Sequence, residues 1–471
     1  MLSKPVLALY DFASKQEFIY RTAKIKEISG ASEMLSGMYR TFVDVLEKEK
    51  IFLKYDLKDE FNYTAFADNN AIIGEVLYDG GGNLMVLFKE TEAYINANKI
   101  ISKHLLENYP TLKMISCCVD VTGDFEADRR NLYTENARRK NRFPTPEISS
   151  VTPFSQTDSN TFLPVVYKDV EFGKEQSLSA DRVAKLKAFK KLKSNKLDSL
   201  DGLVAVIYID GNSMGNKLIK CSSKDYNDGV KKLRSFSKQV NEIYVEKPID
   251  AIQKTIADSQ YNGFRKVIGG GDEITILCDA RIALKVVEVY FNILAREKII
   301  INEEKISCTA CAGVAIFHGK SPFSTAYEIA EAACESAKEK AHIKDGNYLD
   351  FHYCHAGITN NFEAIREFEQ KGLTRRPYEF DLKRNEKGEF EGFVDFNRYR
   401  ALLKMSGRAN VKALGNAAQQ SFEKYCVEAK RVNAYLPKKF NGRYKCNLNE
   451  MKIVYDMAEF YDVWFAKGDI K

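Results

Sequence analysis

No uninterrupted apolar stretch in this chain approaches the roughly 20 residues that a membrane helix needs. The opening MLSKPVLALYDF carries too short an apolar run for a secretory signal, so a cytoplasmic location without a membrane partner is expected. The ten cysteines lack the spacing of a disulfide framework, and a chain of this size needs no such staples. The one CxxC, Cys308 to Cys311, lies in the apolar run CTACAGVAIF without a second ligand pair nearby, so core thiols are expected there rather than zinc. Charge of one sign is scarce too: 71 Lys plus Arg against 65 Asp plus Glu leaves +6, thin cover for a protein that only coats nucleic acid. What the chain does have is 45% hydrophobic and 12% aromatic residues against 29% charged, which excludes wholesale disorder. Its 471 residues are about three times a typical domain of roughly 150, so two or three cores are expected.

Two segments repeat one order of elements. The first starts with VLALYD ending at Asp11, runs through a long helical pattern from Gln16 to Lys48, and reaches the hairpin-like AIIGEVLYDGGGNLMVLF, a second helix and the run MISCCVDV. The second starts with LVAVIYID ending at Asp210 and passes through helical patterns to RKVIGGGDEITILCD, the helix ALKVVEVYFNILAREK, the strand CTACAGVAIF, the helix AYEIAEAACESAKEKAH and YLDFHY. Short apolar runs between 3.6-period helices, with a glycine turn joining the second and third strands, predict a ferredoxin-like β-α-β-β-α-β order twice over. Gly80 to Gly82 align with Gly269 to Gly271, which puts Asn83 at the place of Asp272. The fold class expected is α+β: two ferredoxin-like palm domains at 1–130 and 203–355, a linker or insert at 131–202, and a helical C-terminal domain at 356–471.

The linker holds Arg138, Arg139, Lys140 and Arg142, the prolines Pro144, Pro146 and Pro153, and the lysines Lys187, Lys190, Lys191, Lys193 and Lys196. Proline and polar residues are expected to break regular structure there. The basic residues either line a channel for RNA or a nucleotide, or form a solvated helix face.

Joining a phosphate to a sugar hydroxyl calls for divalent cations held by carboxylates, because the triphosphate repels an incoming oxyanion and the leaving pyrophosphate must be neutralised. A palm sheet supplies one carboxylate at the end of its first strand and one or two in the turn between the next pair. Asp210, followed by Gly211, and Asp272 with Glu273, after Gly270 and Gly271, have that order. The glycines leave backbone N–H groups open to phosphate oxygens. The loop GNSMGNKL enters a helix whose first amides favour phosphate, with the Ser213 hydroxyl beside them. Lys338, on the helix packed beside this sheet, is placed to meet the terminal phosphates as a point charge. The candidate catalytic residues are Asp210, Asp272 and Glu273; the candidate substrate-binding residues are Gly211, Asn212, Ser213, Gly270, Gly271 and Lys338. No His or Cys nucleophile stands near these motifs.

The segments YIDGNSMG, IGGGDEI and SAKEKAH resemble the cyclase palm of the large polymerase-like subunit of type III CRISPR effector complexes, a family related to GGDEF diguanylate cyclases. The first copy resembles that subunit's other palm, with QEFIYRTAKIKEISGASEML similar to its characteristic helix. The resemblance implies conversion of ATP into cyclic oligoadenylate, a second messenger of antiviral defence, with Mg2+ or Mn2+ as cofactor. It also implies metal contacts from Asp210, Gly211 and Asp272, a supporting acid in Glu273, and a first palm that binds or scaffolds rather than catalyses. The chain departs from the family at Asn212, where an Asp is frequent, and in having no His-Asp dipeptide and no cysteine cluster between the palms, so DNA cleavage is not expected of it. RNA and other effector-complex subunits are the partners implied, and a homo-oligomer is compatible with the sequence. GTP stands as the alternative substrate, and a non-catalytic scaffold that binds nucleotide or RNA as the alternative role.

Overall fold

The computed structural model describes residues 4–13, 15–22, 24–142, 155–171, 174–192, 202–354, 361–370, 372–380, 403–435 and 442–464. Pro144, Pro146, Pro153, Lys193 and Lys196 lie outside them.

The first palm begins with β1 (Val6–Ala13), α1 (Lys15–Tyr20), α2 (Ile25–Ser36), α3 (Met38–Lys48), β2 (Leu53–Lys54) and α4 (Tyr63–Asp68). It continues with β3 (Gly74–Gly80), β4 (Asn83–Phe88), α5 (Thr91–Asn108), β5 (Lys113–Asp120) and α6 (Phe125–Arg142). The helical pattern from Gln16 to Lys48 is thus three helices, not one, so the segment likened to a single characteristic helix is broken near residues 21–24. The strands order as β2-β3-β4-β1-β5, with β1 antiparallel to both β4 and β5.

The expected linker is built as well. The boundary drawn at residue 130 falls inside α6, and beyond it a hairpin of β6 (Val165–Glu171) and β7 (Lys174–Ser179) leads into α7 (Ala180–Phe189). Regular structure forms there because α7 docks on α2 and buries its charges in pairs. Arg182 meets Glu27 at 2.8 Å and Asp158 at 3.0 Å, Lys185 meets Asp181 at 2.9 Å, and the Lys185 ammonium donates to the Phe18 carbonyl at 2.5 Å. A buried cation left unpaired would cost several kcal/mol, so these pairs also fix where the insert sits.

The second palm runs through β8 (Leu203–Gly211), α8 (Met214–Ile219), α9 (Tyr226–Asn241), a π-helical turn (Glu242–Glu246), α10 (Lys247–Ile256), β9 (Phe264–Gly270) and β10 (Glu273–Asp279). Then come α11 (Ala283–Leu294), the hairpin β11 (Lys298–Ile301) and β12 (Glu304–Ser307), β13 (Ala310–His318), α12 (Phe323–Ile343) and β14 (Tyr348–Tyr353). The order β9-β10-β8-β13 repeats β3-β4-β1-β5 of the first palm, so the ferredoxin-like duplication stands; β14 and β15 (Tyr378–Glu379) extend this sheet on the β13 side. The described residues of 356–471 are mainly helical, with α13 (Phe362–Ile365), α14 (Arg408–Gln420), α15 (Phe422–Tyr435) and α16 (Leu448–Trp464). They do not form a core of their own, however. Tyr378, Phe380, Leu414, Phe460 and Trp464 share one hydrophobic core with Ile207, Ile209 and Ile276 of the second palm.

The alternation of β8 sorts its side chains by face. Ala205, Ile207 and Ile209 join the core beneath α10 and α11, while Val204, Val206 and Tyr208 join the core under α12, so Asp210 projects on the α12 side. That core continues into the first palm, where Tyr20 stacks on Tyr327 with ring centroids 4.2 Å apart. On the other side Phe125 and Asp128 of α6 meet Tyr226 of α9, the phenol donating to the Asp128 carboxylate at 2.5 Å. Each palm therefore packs against a helix of the other.

The distance between α12 and β13 is set at Gly313, where an added Cβ would lie 1.9 Å from the Ala330 carbonyl oxygen and 2.4 Å from the Cys334 nitrogen. Both are backbone atoms, so the helix must lift to admit a methyl group. Gly313→Ala is expected to destabilise the chain by about 1–3 kcal/mol, read as a lowered urea midpoint, whereas Gly215→Ala, which meets nothing within 4 Å, is expected to leave that midpoint in place.

Candidate active site

The turn between β9 and β10 brings the predicted acids together. Gly270 pairs with Glu273 across it, Gly271 adopts φ +66°, and Gly211 donates its N–H to the Asp272 carbonyl at 3.2 Å. A Cβ on Gly211 would come within 2.8 Å of the Asp272 Cβ, so only glycine lets the turn lie this close to the end of β8. Asp210 stands opposite Glu273 in the β8–β10 register, which points both side chains to the α12 face. The carboxyl groups of Asp210 and Asp272 share a hydrogen bond.

Burial, the Asp210 charge and that hydrogen bond raise Asp272 from the ordinary carboxylate range to about 6. Burial and the charges of Asp210, Glu331 and Asp272 raise Glu273 to about 7, with Lys15 of the first palm acting the other way. Lys338 bonds directly to Asp210 and lies 3.1 Å from Glu335; although burial disfavours its charge, Asp210 holds its pKa above the ordinary lysine value. Lys338 therefore reaches the strand-end acid Asp210 in this structure.

The remaining predicted residues sort by what they touch. The Asn212 side chain is buried and donates to the Gly346 carbonyl at 2.8 Å, its backbone N–H bonds to the Thr309 carbonyl at 2.9 Å, and its own carbonyl accepts from Lys217 at 2.9 Å. It braces the loop. Ser213 is exposed with φ +57°, and α8 behind it is only six residues long, so little helix dipole backs the loop. Gly270 has open space around its α-carbon, and Gly271 lies opposite Gly81, whose Cα would be 3.6 Å from an added Cβ. The glycine turns of the two palms thus face each other.

The first palm answers residue for residue, with one correction. Asp11 pairs with Asn83 across β1 and β4 just as Asp210 pairs with Glu273, and Gly80 pairs with Asn83 as Gly270 does with Glu273. Asn83 therefore matches Glu273, and Gly82, not Asn83, stands where Asp272 stands; three featureless glycines had permitted a one-residue slip in the alignment by sequence. Burial opposes ionisation of Asp11, but Lys15, Lys140 and Asn136 hold it below the usual carboxylate range. Sequence reasoning missed Lys15 and saw in Lys140 only part of a basic cluster. The signal was present: Lys140 and Lys338 occupy the same place in their helices, counted from Phe125 and Phe323, and each bonds to its own palm's strand Asp. Within that cluster Arg138 and Arg139 are paired to Glu135.

Among the described residues no three His, Cys, Asp or Glu side chains gather as a metal cluster. Glu273 thus shares the face without completing a three-acid cage. The pair Asp210 and Asp272 still fits a hard divalent cation: both donors are carboxylate oxygens, Gly211 adjoins both, and the raised pKa of buried Asp272 beside the Asp210 charge marks negative charge crowded at one place. Cys308 and Cys311 are buried free thiols.

Residues 203–346 match the family described as Cas10/Cmr2, second palm domain. The second palm is thus similar to that of Cas10/Cmr2. No curated protein matches the chain. Among solved structures it is similar to Csm1 of an apo Csm1–Csm4 cassette, at 15% identity and TM-score 0.47 over 72% of this chain and 53% of that one. It is also similar to Csm1 in T. onnurineus, at 14% and 0.44 over 73% and 53%, and to a Csm1–Csm4 cassette in complex with cA4, at 12% and 0.49 over 97% and 69%. The chain spans about half the length of the first of these, 53%. Every residue of the acid site, Asp210, Asp272, Glu273 and Lys338, lies within the Cas10/Cmr2-type segment. Among the described residues no helix is long and apolar enough to cross a membrane.

Acids whose pKa is raised by folding make the folded state bind more protons than the unfolded one, so their contribution to stability falls as pH rises from about 4 through 6 to 7. In metal-free buffer Asp272→Asn is expected to stabilise the protein at pH 8 by about 1–2 kcal/mol and to have little effect at pH 4, read from melting temperatures across that range. A pH-independent gain would sever it from the carboxylate repulsion.

Proposed function

We propose that this protein is a metal-dependent nucleotidyl cyclase that joins ATP into cyclic oligoadenylate at its second palm, in a type III CRISPR-like defence system. One observation carries the reading: the segment matching the Cas10/Cmr2 palm is also the segment that presses two carboxylates together at a glycine turn with a lysine beside them. Mg2+ or Mn2+, held by Asp210, Asp272 and the Gly211 carbonyl, supplies charge neutralisation at the reacting phosphate and the departing pyrophosphate.

The chain's own groups do the rest. The open backbone at Gly270 and Gly271 lets triphosphate oxygens approach the turn, and Ser213 offers an exposed hydroxyl at the same mouth. Lys338, bonded to Asp210 on the α12 side, would meet the phosphates of a bound triphosphate as a point charge. A 3′ or 2′ hydroxyl oxygen then bonds to the α-phosphorus of a neighbouring nucleotide as the bond to pyrophosphate breaks. Holding those atoms in line is worth much of the barrier, since no side-chain nucleophile is needed. Asn212 and Lys217 keep the loop after Asp210 in place. The opposed turns of Gly81 and Gly271 leave the seam between the palms as the place for the second nucleotide.

The test is mass spectrometry of products from mixed nucleotides with Mg2+ or Mn2+, with and without added RNA and effector-complex subunits. Cyclic oligoadenylate is expected, lost in Asp210→Ala and Asp272→Ala and reduced about 10²-fold in Lys338→Met. Products made from GTP alone would move the assignment to a cyclic dinucleotide synthase. Turnover unchanged in Asp272→Ala would remove the site.

A further inference from the structure

The first palm keeps the strand acid and the helix lysine of the second but reverses the charge around them. Where the second palm gathers Asp210, Asp272 and Glu273 around Lys338, the first has a single carboxylate, Asp11, with Lys15, Lys140, Asn83 and Asn136. Lys15 Nζ lies 3.3 Å from Asp11 Oδ1 and donates to the Gly82 carbonyl at 2.8 Å; Lys140 Nζ lies 2.5 Å from Asp11 Oδ2. Asn136 donates to Asp11 Oδ2 at 3.0 Å, and Asn83, with its amide turned to donate, is 3.1 Å from both oxygens. The lone pairs of Asp11, a side chain only 3% exposed, are fully used.

The position of Lys15 is telling. A Cβ added at Gly82 would fall 2.0 Å from its nitrogen, so the ammonium fills the space that any side chain at residue 82, the register match of Asp272, would need. Tyr39 holds the same Gly82 carbonyl at 2.5 Å, which fixes the acceptor for the ammonium. Lys15 could not sit there with an acid at residue 82, and an acid is not needed with Lys15 there.

We propose that Lys15 and Lys140 are tethered cations standing in for metal ions, and that they close the first palm to divalent cations while keeping its sheet end neutralised and folded. An ammonium on a covalent stem is always present, so Asp11 is satisfied at any metal concentration, and a divalent ion entering beside two ammonium groups would meet repulsion and no free carboxylate oxygen. Divalent metal is thereby confined to the second palm.

The experiment uses the full chain carrying Asp210→Asn and Asp272→Asn, so that its reading does not depend on the proposed cyclase site, and counts bound Mn2+ by electron paramagnetic resonance alongside the melting temperature. This background is expected to bind no Mn2+ at the first palm and to melt at the same temperature with or without it. Adding Lys15→Met and Lys140→Met is expected to lower the melting temperature, to create about one Mn2+ site, and to let Mn2+ restore several degrees. Adding Asp11→Asn to that variant is expected to abolish the binding and the rescue together. Mn2+ bound by the background and lost on Asp11→Asn would overturn the proposal, as would a lysine-free variant that gains no Mn2+. Should that variant not fold, Lys15→Met alone, which keeps the Lys140 pair, is read by the same two measurements, a weaker Asp11-dependent Mn2+ site being the expected result and none the overturning one.

Discussion

Two carboxylates pressed together at a buried sheet edge repel each other as both ionise, and the second palm is arranged around that constraint. The register of β8 against β10 and the glycine turn that drops Asp272 onto the end of β8 are the means of forcing. Burial under α12 removes the water that would otherwise screen the repulsion. Lys338, bonded to Asp210, offsets part of that repulsion.

The duplicated palm shows the same constraint resolved in the opposite way. With glycine in place of the turn acid and Lys15 against Gly82, an excess of negative charge gives way to an excess of positive charge on the same strand register. The palms are bound by exchange of surfaces: α12 covers the second palm's acid and packs on Tyr20 of the first, while α9 packs on Phe125 and sends Arg234 to the Leu77 and Val76 carbonyls at 2.9 Å. Such contacts hold the two glycine turns face to face, so that the site of one palm is walled by the other.

Much of this was legible in the sequence because it is local. Strand alternation, the Gly270–Gly271 turn and the acids beside it are decided within a few residues, and Lys338 follows from the period of its helix. The register of the first turn was not legible, since Gly80 to Gly82 offer no side chain by which to judge which of them pairs, and only the partner strand decides. Nor were Lys15 and Lys140: their meaning depends on reaching Asp11 from two different helices, and a basic cluster read along the chain looks the same whether its charges face solvent or an acid. The insert looked irregular for a similar reason, because its order comes from Arg182 and Lys185 finding Glu27 and Phe18, more than 150 residues away in sequence for each of those two contacts.

The C-terminal helices carry a consequence of their own. Arg376, fully enclosed, bonds to Asp456 at 3.0 Å and Glu459 at 2.8 Å on α16 and to the Phe351 carbonyl at 2.6 Å on β14, while the indole of Trp464 donates to the Ala280 carbonyl at 3.3 Å. The tail is thus the far wall of the second palm rather than an appendage to it. Evolution can lengthen or replace surface loops of this chain freely, but the tail and the second palm must drift as a single unit, and a homologue that exchanged one would have to exchange the other.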